Sequence, residues 1–474
     1  MTYSQMTVTA CALVLLTLSS CSVGPDYNAP DTTRYEGQWL SESGATSTSA
    51  PAQVAWWEIF KDPLLSKYIE AAATHNKNVE ESQANLLAAR AARAQAGASF
   101  LPSIDASGQG VRGKSGGGLN GGGTGGNIRN VYDAGFDASW EIDIFGGNRR
   151  TYEAADARTQ GALASYQDVL LATLSEVART YYEVRGLQKQ IAITRDNTKL
   201  QKETYELIRA RLEAGEASEF DLTRAQGEYQ LTQSRLPNLE ADMKSGIYTL
   251  SVLLGQPPES LLGEMQEVKP LPAPPDLVPV GLRSDILRRR PDIRMAEREL
   301  AASVADIGAQ QAELFPKFFL TGNAGSQAST FGDLFTASSG VWSLASLLQW
   351  SIFDGGAIRA GIDIQKAESR AAFARYEQSV LEALRDAESA LTQYGQELET
   401  RQRLEESVRT RRKSVSLAQE LLDAGETDYL SVLDAERELT AGENELVLSE
   451  TRSLTKLIAL LTSLGGGWEK FPPK

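Results

Sequence analysis

Two stretches of the chain that lie far apart are versions of one another. They are Leu212-Glu-Ala-Gly215-Glu216-Ala-Ser-Glu219-Phe220-Asp221-Leu222 and Leu422-Asp-Ala-Gly425-Glu426-Thr-Asp428-Tyr429-Leu430-Ser431-Val432. Subtracting 210 from the second copy superimposes Gly425 on Gly215, Ala435 on Ala225, Glu438 on Glu228 and Gly465 on Gly255, and also Trp350 on Trp140 and Arg359 on Arg149. The chain is therefore a tandem duplication of a unit of roughly 200 residues. Repeated units bury their faces against one another, so a duplication of this kind favours a symmetric shell or tube over a pocket enzyme.

Within each copy the hydrophobic period changes. From Val131 to Ile144 the even positions Tyr132, Ala134, Phe136, Ala138, Trp140, Ile142 and Ile144 are apolar, while Asp133, Gly135, Asp137, Ser139, Glu141 and Asp143 are small or acidic. Period two with acids on one face and aromatics on the other predicts a membrane-barrel strand, with Asp133, Asp137, Glu141 and Asp143 facing the lumen. Strands are expected at about 101–112, 130–144, 316–326 and 341–353. The glycine-rich run Gly113 to Gly126 reads as an exposed flexible loop, and no Walker-type ending gives it a phosphate-binding role. Four strands cannot close a barrel and an open edge is intolerable in lipid, so several chains must share one barrel.

Residues 148–213 lack proline and carry Leu163, Leu170, Val177, Val184 and Ile191 at sevens; Leu384, Leu391 and Leu398 repeat this in the second copy. Sixty-odd residues at 1.5 Å each give a helix of roughly 100 Å, too long for a bilayer core. Gly215 and Gly425 reverse the chain, giving two helical hairpins, and Pro237 is expected to kink the first return helix, whereas its counterpart is Val447.

Residues 1–20 read as a signal peptide despite lacking Lys and Arg, and Leu18-Ser19-Ser20-Cys21 resembles a lipobox that would lipidate Cys21. A leader spans 21–62, the first repeat 63–259, a proline-rich crossover 260–283, the second repeat 284–467, and a short tail, read as peripheral, 468–474. A net charge of −15 disfavours nucleic acid, and Arg288-Arg289-Arg290 is too short a basic run to offset it. One histidine, His75, and two cysteines leave no material for most metal or nucleophile–base sites, so neither an enzyme, a cofactor nor a bound metal is expected.

The chain resembles the TolC/OprM class of outer-membrane factors, in its NodT/OprM-like lipoprotein branch. The resemblance rests on Cys21-Ser-Val23-Gly24-Pro25-Asp26-Tyr27 with Pro30, Trp140-Glu-Ile-Asp-Ile-Phe145-Gly146, Arg289-Arg290-Pro291-Asp292-Ile293, Asp428-Tyr429-Leu430 with Leu433-Asp434-Ala435-Glu436, and Leu464-Gly465-Gly466-Gly467-Trp468. It implies a homotrimer that completes a twelve-stranded barrel in the outer membrane, with a long α-helical coiled-coil barrel in the periplasm. It also implies a passive exit duct for drugs or other small solutes, partnered by a periplasmic adaptor and an inner-membrane pump of the resistance-nodulation-division type. By the same resemblance Asp221 and Asp434 form the periplasmic gate. Thr427 and Ser431 depart from charged positions of the family pattern, and Arg224 and Arg437 are candidate partners of the two aspartates. An exit duct for type I secretion or metal ions, and a lipid-anchored coiled-coil scaffold, are the alternatives; only five Met argue against copper or silver.

Overall fold

The computed structural model describes residues 22–35, 37–40, 46–47, 54–114, 128–275 and 277–473. The signal peptide, Cys21 and most of the glycine-rich run lie outside these residues. Contacts divide the chain into two units, one of residues 1–30, 86–162 and 296–376, the other of 31–85, 163–295 and 377–474.

The first unit holds a four-stranded antiparallel sheet: β1 (Ser103–Lys114), β2 (Ile128–Ile142), β3 (Lys317–Ala328) and β4 (Gly340–Gln349), in the order β1-β2-β3-β4. The helices are α1 (Pro63–His75), α2 (Lys77–Ala98), α3 (Gly147–Glu213), α4 (Glu219–Leu253), α5 (Arg283–Arg289), α6 (Pro291–Ala312), α7 (Ala357–Asp423) and α8 (Tyr429–Ser463). The duplication is reproduced to the residue, in two registers. Adding 214 carries α2 onto α6 and β1 onto β3; adding 210 carries α3 onto α7 and α4 onto α8. The four-residue difference falls between the first and second strand of each copy, in the glycine-rich run. Equivalent bonds follow both registers. Trp140 Nε1 donates to the Phe100 carbonyl and Trp350 Nε1 to that of Leu314, both at 3.0 Å. Asn76 Nδ2 donates to the Leu253 carbonyl at 2.8 Å and Arg290 Nη1 to that of Ser463 at 3.2 Å, so each copy satisfies an orphan carbonyl at the end of its return helix.

Packing in the second unit follows the heptads: Leu170, Val177, Val184, Ile191, Leu384 and Leu391 are buried, while Leu163 and Leu398 are half-buried. Small residues permit close approach. A Cβ on Gly186 of α3 would lie 2.2 Å from Thr451 Oγ1 and 2.8 Å from its Cγ2 on α8. Gly186→Val is therefore expected to cost about 1–3 kcal/mol through overpacking. Urea unfolding followed by helical circular dichroism checks this, and Thr451→Ala should recover part of the loss.

Pro237 lies inside α4, which runs from Glu219 to Leu253. Within the crossover, residues 269–275 have no regular structure, and Val278–Pro279 pairs in parallel with Thr46–Ser47 of the leader. One expectation is corrected, since the tail is not peripheral: Phe471 stacks on the fully buried Trp57 at 5.8 Å, and Trp468 Nε1 donates to the Gly465 carbonyl at 2.9 Å.

Candidate functional site

The sheet register decides which side chains share a face. Ala106 opposes Phe136, Phe136 opposes Ala324 and Ala324 opposes Trp342, so the even-numbered residues of all four strands form one face. That face carries Ile104, Phe136, Trp140, Leu320, Trp342, Leu344 and Leu348. The other carries Asp105, Gln109, Asp133, Asp137, Glu141, Asn323 and Gln327. Its polar groups bridge strands: Ser107 Oγ donates to Asp137 Oδ2 at 2.9 Å and Gln327 Nε2 to Asp133 Oδ1 at 2.7 Å. Asp143 does not belong to this wall. β2 ends at Ile142, and the Asp143 carboxylate accepts the Arg149 backbone N–H at 2.9 Å, which secures the first turn of α3.

The second group of candidates sits at the hairpin turns in the other unit. Gly215 and Gly425 have φ of +82° and +73°, the left-handed region that glycine enters without a Cβ penalty. Each turn closes with the same pair of bonds, Gly215 N–H to Leu212 and Glu216 N–H to Arg211, Gly425 N–H to Leu422 and Glu426 N–H to Leu421. The following helix start is capped differently in the two copies. In the first, Ser218 caps α4 and Asp221 completes the capping box; in the second, Asp428 caps α8 and Ser431 takes the reciprocal position. Thr427 Oγ1 donates to Ser431 Oγ at 2.9 Å, so both departures from the family pattern lie in this cap.

Of the proposed gate pairs, one is present. Arg224 Nη2 lies 2.9 Å from Asp434 Oδ1, joining the two hairpins. Arg437 does not reach Asp221; it pairs with Glu228 at 3.2 Å, a second link between hairpins, and Asp221 is held by its cap. Sequence reasoning passed over Glu436, which is 3% exposed and keeps Oε2 without a hydrogen-bond partner. Burial pushes its carboxyl up to about 7. The signal was present: Glu436 lies four residues from Val432 and from Thr440, on the buried stripe of α8. Its counterpart by the 210 shift, Gln226, is exposed.

Arg150, only 6% exposed at its side chain, was also missed. Its guanidinium donates to the Val23 and Gly24 carbonyls at 3.1 and 3.4 Å and pairs with Asp26 at 2.7 Å, while the Val23 N–H donates to the Phe145 carbonyl at 3.0 Å. These bonds fix the leader where β2 passes into α3. Among the described residues no helix is long and apolar enough to cross a membrane, and no group of three or more His, Cys, Asp or Glu could hold a metal ion.

A sheet with one apolar and one polar face, carried in the same chain as two coiled helical hairpins, defines a membrane-channel component of mixed barrel architecture. The chain belongs to the outer membrane efflux protein family, whose model matches residues 68–256 and 282–466. Nodulation protein T of Rhizobium leguminosarum bv. trifolii is 32% identical over 469 residues, covering 96% of both chains. The antibiotic efflux pump outer membrane protein ArpC of Pseudomonas putida is 30% identical over 483 residues, covering 99% of this chain and 96% of ArpC. The solved outer-membrane channel OprN superimposes with a TM-score of 0.89 at 34% identity, covering 95% of this chain and 100% of OprN. The Campylobacter jejuni CmeC outer membrane channel shares the fold with a TM-score of 0.89 at 21% identity, covering 94% of this chain and 95% of CmeC. The family is one of efflux channel components in the outer membrane, not of enzymes.

Proposed function

We propose that the chain is the outer-membrane exit duct of a tripartite efflux pump, three copies closing a twelve-stranded barrel that passively conducts drugs or other small solutes. The sheet leaves its β1 and β4 edges without a partner strand among the described residues, which supports closure by further copies. The polar face, with its bridged carboxylates and amides, supports a wet lumen. Efflux-pump outer membrane proteins among the relatives support the solute class, and by the same reading a periplasmic adaptor and a resistance-nodulation-division pump complete the machine. Lipidation of Cys21 is supported by the clamp on residues 23–26, which holds the leader at the barrel strand's end.

The observation that carries the gate is the pair of ionic links between hairpins, Arg224 with Asp434 and Arg437 with Glu228. Their side chains are partly exposed, so each is worth about 0.5 kcal/mol; two links in each of three chains make about 3 kcal/mol, roughly a hundredfold in an open–closed equilibrium. Arg224→Glu with Arg437→Glu should therefore enlarge a small single-channel conductance in planar bilayers. Adding Asp434→Arg and Glu228→Arg should restore the small value. Unchanged conductance in the first variant would remove these links from the gate, and no conductance in any variant would favour a scaffold.

A further inference from the structure

We infer that the connection between β3 and β4, residues 329–339, is a lipid-binding foot that lies on the outer wall of the barrel and seats Phe331 and Phe335 among the acyl chains at the far edge of the bilayer. The inference rests on the proposed barrel, whose apolar face meets lipid.

The side of the sheet on which the connection lies follows from Tyr132. β2 pairs one-for-one with β1 over residues 128–139 and with β3 over residues 132–142, without a bulge, so Tyr132 shares the apolar face with Phe136 and Trp140. The Phe331 ring meets Tyr132 edge-on at 5.9 Å, and Phe335 meets Phe331 in the same way at 5.9 Å. The connection thus continues the apolar face. Phe331 and Phe335 remain 63% and 78% exposed, as does Trp342 at 80% on the same face of β4.

The connection also satisfies part of its own polar groups, which lessens the cost of setting it against hydrocarbon. Two short helical turns, Gly332–Phe335 and Ala337–Ser339, bond the Leu334, Thr336 and Ser339 N–H groups internally. Ser339 Oγ donates to the Leu334 carbonyl at 2.9 Å, and both residues are buried. Thr330 Oγ1 donates to Asp333 Oδ2 at 2.6 Å, and Asp333 is exposed, as a group meeting lipid headgroups would be.

Height places the foot. From Ile142 to Tyr132 is ten residues of β2 on the apolar face, about 34 Å along the strand, or about 26 Å along the membrane normal at a tilt of about 40°. That matches an apolar band of about 25 Å, so the two phenylalanines packed beyond Tyr132 stand at its outer edge. The equivalent connection in the first copy is the glycine-rich run, whose residues 115–127 include no aromatic, so each chain carries one foot.

A nitroxide label reads the environment directly. Phe335→Cys, Phe331→Cys, Leu344→Cys on the apolar face and Ser343→Cys on the polar face are labelled in the full chain, reconstituted in phosphatidylethanolamine–phosphatidylglycerol vesicles, with the unsubstituted chain giving the background of Cys11 and Cys21. Collision with oxygen, which concentrates in hydrocarbon, is compared with collision with a water-soluble nickel chelate. Labels at 335 and 331 are expected to match 344, favouring oxygen, with the ratio reversed at 343. If 335 and 331 match 343 while 344 still favours oxygen, the foot is overturned and the barrel stands. If 344 also favours nickel, the barrel reading fails and takes the foot with it.

Discussion

Replacing Glu436 with glutamine should stabilise the protein by about 3 kcal/mol near pH 8 and change it little near pH 4. The carboxyl is buried on α8 with one oxygen unpartnered, and burial raises it from the ordinary range to about 7. In the unfolded chain it ionises near 4.5; in the native chain it keeps its proton until about 7. Between these values the native state binds more protons than the unfolded state, so stability falls as pH rises. The penalty is absent below the lower value and complete above the higher. Glutamine keeps the shape and carries no charge to desolvate, so the variant should lack this particular fall over the same window. Urea midpoints measured from about pH 4 to about pH 8 distinguish the two curves, and a parallel fall in both proteins would refute the assignment.

Glu397→Ala should act with the opposite sign. This residue, 5% exposed on α7, accepts Ser449 Oγ at 2.7 Å, Arg452 Nε at 3.3 Å and Lys456 Nζ at 2.8 Å. Burial alone would raise its carboxyl; the hydrogen bonds from Lys456 and Ser449 and the charges of Lys456 and Arg452 outweigh burial and hold it below the usual carboxylate range. Removing one partner of a buried ion pair costs about 3–5 kcal/mol, but Lys456 and Arg452 are 31% and 42% exposed and can regain water, so a loss of about 2 kcal/mol is expected. A depressed folded pKa stabilises above the unfolded value, and the contribution disappears as pH falls through the folded one. The alanine variant's deficit should therefore be full at neutral pH and vanish in acid. A deficit that persists below about pH 3 would assign the effect to packing instead.

What the sequence revealed depended on the range of the physics involved. Strand alternation and the glycine turns are local, and the duplication doubled every signal, so Gly215, Gly425 and the four strands lie close to where period and chain reversal place them. Pairing between side chains on different elements is not local. Asp434 finds Arg224, yet Arg437 finds Glu228, because Asp221 is held by the cap that begins its own helix. Asp143 continues the alternation in sequence but falls one residue past the strand, where it bonds the next helix's backbone. Arg150 and Glu397 are ordinary charged residues in their helices and acquire meaning only from partners distant in the chain.

The two hairpins count residues identically, 67 in each long helix and 35 in each return. A single deletion in one arm would turn everything beyond it by about 100° and shift it about 1.5 Å, enough to carry Arg224 away from Asp434. Length in one copy is therefore a constraint on the other. The helices can lengthen or shorten only as a matched set, while the four-residue difference between the copies has collected in the strand connections, where no partner keeps count.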